Sequence, residues 1–99
     1  MDNNMNEIKR SVPVVELMAG LAEECCELAQ EALKLRRVWD KTNPTPMTED
    51  MAIDHLYEEI ADVRLYLNQI DVNMASIEEI MAEKEARWKK RLERTDNNA

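Results

Sequence analysis

The chain has 99 residues, one domain's worth, and its 44% hydrophobic and 34% charged side chains suit a globular protein with many exposed helix faces. With 4% aromatics, no Phe and one Gly it lacks the turns and strand formers of a β-sandwich or barrel, and a glycine-rich phosphate loop is excluded because Gly20 is its single glycine. A formal net charge of -8 runs against duplex nucleic-acid binding, although residues 84–99 hold 6 basic and 3 acidic side chains against 7 and 18 in residues 1–83.

Residues 1–10 are polar and read as a flexible N-terminus. Ser11 and Pro13 mark a helix start, since proline costs nothing where the first-turn N–H is unpaired anyway. Val14, Leu17, Met18, Leu21, Cys25, Leu28, Ala32 and Leu35 then recur at steps of three and four, one apolar stripe on a helix reaching Val38 or Trp39. Gly20 inside it suggests the close approach of another helix. Residues 40–47, with two prolines, read as a loop.

Thr48 caps a second helix whose first turn carries Glu49 and Asp50, the charge the helix dipole favours there. Its stripe is Met51, Leu56, Ile60, Val63, Leu67 and Ile70, and it stops at Asp71-Val72-Asn73. Ser76 with Glu79 forms a capping box for a third helix over Ile77 to Leu92. Residues 11–94 are thus one helical domain and 95–99 a flexible tail. Val12, Val15, Leu33, Val38, Tyr57, Leu65 and Ile80 leave apolar surface outside the stripes, so the expected architecture is an all-α antiparallel bundle completed by oligomerisation. Seven Met residues fit adaptable packing in such an interface.

No run approaches a membrane span, and no leader pattern opens the chain, which points to the cytoplasm. Cys25 and Cys26, adjacent on a helix, are expected as reduced packing residues: a disulfide between them would be strained, and no activating His or basic group lies near in sequence.

The residues that carry chemistry are acidic. Glu24 and Glu27 lie one turn apart on one face of the first helix, with Glu31 four further on, and Glu59 and Asp62 repeat the spacing on the second. Apolar neighbours hem both pairs: Leu21, Leu28 and Ala29 in one, Ile60, Ala61 and Val63 in the other. Carboxylates crowded at the border of a core are stabilised by a hard divalent cation, Mg²⁺ or Mn²⁺, and the competing reading is a solvated acidic face. A di-iron bundle needs Glu-x-x-His on two helices, whereas the single His, His55, precedes Glu58.

The two segments Leu21-Ala-Glu-Glu-Cys-Cys-Glu-Leu28 and Glu58-Glu-Ile-Ala-Asp-Val63 resemble the paired motifs of MazG-type all-α nucleoside triphosphate pyrophosphohydrolases over about residues 14–92. The resemblance implies that Glu24, Glu27, Glu59 and Asp62 bind Mg²⁺, and that the substrate is a nucleotide cleaved to a monophosphate and pyrophosphate. Phosphoribosyl-ATP is the alternative substrate, because pyrophosphohydrolases acting on it share the fold; a non-catalytic helical interaction module is the alternative outside enzymes. Residues 28–58 between the motifs are long for the family, which suggests an insertion around 40–48. The third motif is partly matched by Arg87-Trp88, with Lys84 where Asn is common and Ile80 where Lys is common.

On this chemistry Glu23 or Glu58 would take the proton of the attacking water, and basic groups would meet the outgoing pyrophosphate. The candidates are Lys34 with Arg37 on the first helix and Lys84, Arg87 and Arg91 on the third; pairing of Lys34 with Glu31 is the bland alternative. Trp39 at the loop entrance is the expected base-stacking residue, with packing favoured for Tyr66 and Trp88 a further flat surface. The expected partners are a nucleotide and further copies of the chain as a homodimer or homotetramer, with neither duplex nucleic acid nor membrane.

Overall fold

A computed structural model describes residues 7–9, 11–42 and 46–98, and among them every regular element is helical. Residues 1–6 and 10 of the expected flexible N-terminus, and Ala99 of the expected tail, lie outside the described residues, as do 43–45 of the loop. The three long helices are α1 (Val14–Asp40), α2 (Glu49–Gln69) and α3 (Met74–Asn98). A short helical stretch at 7–9 precedes them. None of the described helices is long and apolar enough to cross a membrane.

The helix ends follow local chemistry. Pro13 precedes α1 without a side-chain cap, and its carbonyl accepts from the Glu16 and Leu17 N–H groups at 3.0 and 3.1 Å. At the other end Lys41 takes left-handed backbone, φ 57°, so that its N–H reaches the Arg37 carbonyl at 2.9 Å. Asp40 then fastens the loop by accepting from the Thr42 N–H at 3.0 Å and its hydroxyl at 2.7 Å, and these bonds hold its carboxyl below the usual range. Thr48 caps α2 as expected, its hydroxyl accepting from the Met51 N–H at 3.2 Å.

The third helix begins a turn earlier than Ser76 suggests. Asn73 Oδ1 accepts from the Ser76 N–H at 3.1 Å, so Ser76 sits within the first turn and the Ser76–Glu79 box does not form the start. Asn is as strong a cap as Ser, and the earlier cap wins a turn of helix. At its far end α3 runs past Leu92 to Asn98, carrying 95–98, expected as tail, in its last turns.

The first two helices pack on each other, and paired positions run in opposite order along them: Gly20 meets Tyr66, Glu31 faces His55, and Trp39 Nε1 donates to Glu49 at 3.0 Å. Gly20 does mark a close approach, because a Cβ there would overlap the tip of the Tyr66 ring. An ion pair between Lys9 and Asp71 ties the leading stretch to the end of α2.

The enclosed core is small: Leu17, Leu35 and Ala52, with Gly20 and Gln69. Much of the predicted stripes stays in contact with solvent, including Val14, Met18, Met51, Ile60 and Leu67. Cys25, expected in the core, is exposed with Cys26. Two helices bury only the seam between them, so the outer edges of each stripe stay open. No residue of α3 from Met74 through Asp96 is buried, and α3 packs on neither neighbour. The radius of gyration is accordingly 17.9 Å, against about 13 Å for a compact chain of this length.

Candidate functional site

Helical spacing puts Glu24 and Glu27 one above the other on α1, and Glu59 stands across the seam on α2. One carboxylate oxygen from each of the three lies within 4.8 Å of the other two. Asp62 is one turn beyond Glu59, outside this triad, but near enough for its charge to act on Glu24 and Glu59. Three of the four expected ligands therefore converge and the fourth borders them.

Electrostatics at the cluster reflect crowding without a counter-charge. The Glu24 carboxyl is pushed up to about 7, first by a hydrogen bond with Glu59 that favours its protonated form, then by desolvation and by the charges of Glu27, Asp62 and Glu59. Glu59 is also raised, by desolvation foremost and by Glu27 and Asp62, while the Glu24 hydrogen bond favours its charged form. A proton on Glu24, donated toward Glu59, is the consistent arrangement near neutrality. Apart from the proton the pair can share, Glu24 Oε2 and Glu59 Oε2 are shielded from solvent and meet no N–H or O–H donor among the described residues. Buried carboxylate oxygens without donors fit a hard cation such as Mg²⁺, whose ligands are oxygens.

Further along α1, Glu31 accepts from Lys34 Nζ at 3.2 Å, the bland pairing for both side chains. Its other oxygen faces His55 Nδ1 at 3.8 Å, which places the half-buried His55 beside the helix seam. The two general-base candidates separate. Both are exposed, but Glu23 lines with Glu24 a cleft of about 540 Å³ that opens beside the carboxylates, and Glu58 is not among its walls.

That cleft runs between the start of α1 and the end of α2, with apolar walls from Ile8, Val12, Leu17 and Leu65, Tyr66 beside Gly20, Asp62 near the cluster and Gln69 at the far end. Trp39 lies twelve residues past Glu27 on α1, about 18 Å along the helix and away from the cleft, where it is exposed and donates to Glu49. Lys84 and Arg87 line a separate basic hollow with Arg91 on α3, so a single chain does not bring them to the carboxylates. Gln69, which the sequence reading passed over, carried no signal beyond being a polar residue near a helix end.

No protein-family model, curated protein or solved structure matches the chain.

Proposed function

We propose that the protein is a Mg²⁺-dependent nucleoside triphosphate pyrophosphohydrolase of MazG-like type, working in the cytoplasm and converting a (d)NTP and water to a (d)NMP and pyrophosphate. The observation that carries the reading is the convergence of Glu24, Glu27 and Glu59 from two helices within 4.8 Å, with Oε2 of Glu24 and of Glu59 shielded from solvent and Glu27 exposed beside them. Two acidic motifs in the order expected of such enzymes add to it. In this reading Glu24, Glu27 and Glu59 hold the metal, with Asp62 completing the set from the next turn of α2.

A magnesium ion, with manganese as a possible substitute, supplies charge neutralisation for the triphosphate oxygens and lowers the pKa of a bound water. The chain's own residues do the rest. Glu23 stands on the cleft wall next to Glu24, placed to accept the proton of water attacking phosphorus; Glu58, outside the cleft, is the weaker candidate. The apolar part of the wall, from Ile8, Val12, Leu17 and Leu65, gives the nucleoside a surface to lie against.

The exposed side chains of Val14, Met18, Ile60 and Leu67, with Ile77, Ile80, Met81 and Trp88 on α3, support assembly into an antiparallel bundle as a homodimer or homotetramer. In that assembly Lys84 and Arg87 reach the phosphates from a second copy's α3. Pyrophosphate release from a panel of NTPs, dNTPs and phosphoribosyl-ATP, with Mg²⁺ or EDTA, tests the reading in wild type and in Glu27→Gln and Glu59→Gln. The expected result is release that needs the metal and falls at least a hundred-fold in both variants. No release from any of these compounds sinks the enzyme and leaves a helical interaction module.

A further inference from the structure

Gln69 is the last residue of α2 and only 3% exposed, yet neither its Oε1 nor its Nε2 has a hydrogen-bond partner among the described residues. A primary amide in such a place ordinarily finds partners, because desolvating it without compensation is unfavourable. It lines the same cleft as Glu24 and Asp62. Gln69 lies seven positions after Asp62, two turns on one helix face and about 10 Å, comparable with the span from an α-phosphate to the far edge of its base. Between them Leu17, Leu65 and Ile8 supply apolar wall on which a flat heterocycle can lie, and Glu16 adds a carboxylate to the same cleft.

We propose that Gln69 is the residue that reads the nucleobase. With phosphates at the carboxylate end, the base lies along the apolar walls and its edge meets the amide. The carbonyl oxygen accepts from a base N–H while the amide N–H donates to the neighbouring ring nitrogen or carbonyl, so the ligand class is a base edge with a donor beside an acceptor. Burial makes this selective: a base that presents the wrong pattern leaves the amide desolvated and unpaired. Gln69 is thus a specificity residue that takes no part in bond cleavage.

The assignment rests on the pyrophosphohydrolase reading, and one experiment separates their failures. Steady-state kcat/KM for pyrophosphate release is measured with Mg²⁺ on triphosphates of all five bases, in wild type and in Gln69→Leu, with thermal melting of both. Wild type should prefer one or two bases. Gln69→Leu should lose about ten- to a hundred-fold on the preferred base, the worth of one or two hydrogen bonds to a buried amide, and far less on the poor ones. The preference therefore collapses, while melting is unchanged or higher because an unpaired amide has become apolar.

Retained activity with an unchanged preference would overturn the role of Gln69 alone. So would an equal loss on every base, which marks a structural position. Absence of release in wild type would overturn the enzyme reading, and the base reader with it.

Discussion

The close approach of α1 and α2 at Gly20 can be tested by adding a single methyl group. Ala is preferred to Gly in a helix interior by about 1 kcal/mol, so Gly20→Ala would stabilise an unobstructed helix. Here the added Cβ would overlap Cε1, Cζ and Oη of Tyr66. Overpacking of this kind costs about 1–3 kcal/mol. The lower half of that range is appropriate, because the atoms met are the tip of one side chain and the cleft beside it gives the ring somewhere to swing.

Subtracting the propensity gain leaves a net loss of roughly 0–1 kcal/mol, or a Tm lower by up to about 8 °C for a domain of this size. Replacing Tyr66 by Leu removes the ring tip. In that background Gly20→Ala should raise Tm by about 4–8 °C, as the propensity term acts alone. The four proteins of this cycle are melted by circular dichroism at one protomer concentration, since association would otherwise shift Tm by mass action. A rise of the same size in both backgrounds would refute the packing argument.

Three further outcomes follow from other parts of the chain. Lys41 holds left-handed backbone that a side chain disfavours, so Lys41→Gly should stabilise by about 1 kcal/mol, read as a higher denaturant midpoint at unchanged m-value. Glu24 binds its proton more tightly in the folded chain, with a pKa of about 7 against 4.5 for the ordinary group. Its stabilising effect is complete below about pH 4.5 and is lost as pH rises through 7, so in EDTA Tm should fall over that window, and saturating Mg²⁺ should restore it at neutral pH. Ile80 and Trp88 are 49% and 62% exposed on a helix that packs on neither α1 nor α2. Ile80→Glu with Trp88→Ser should therefore shift sedimentation toward the monomer with α1 and α2 helicity retained; an unchanged sedimentation coefficient would remove α3 from the interface.

Helix existence was legible from period and caps because those signals are local. Thr48 caps α2 through its own hydroxyl, and nothing distant competes for that bond. Where two good caps lay close together, as at Asn73 and Ser76, the pattern could not rank them, and the earlier one took the helix start. The carboxylates were legible for a similar reason: three and four residue steps fix Glu24 with Glu27, and Glu59 with Asp62, on their faces before any packing occurs. What spacing could not fix was the relative height of the two helices across the seam, and that height brings Glu59 into the triad and leaves Asp62 at its border.

The same limit explains Gln69 and Trp39. A glutamine at a helix end reads as solvated, whereas Gln69 is buried beside a cleft that Ile8, Val12 and Leu17 also line. A tryptophan beside a loop reads as free to stack, but helix length carries Trp39 far from the carboxylates and its indole N–H is committed to Glu49. The end of the cleft away from the carboxylates is therefore set by the pairing of α1 and α2, which fixes Tyr66 against Gly20 and Gln69 two turns beyond Asp62. A nucleotide held by its phosphates at the triad would extend toward Gln69, because the cleft opens on that side, while the Glu31, Lys34 and His55 contacts occupy the seam in the opposite direction along α1.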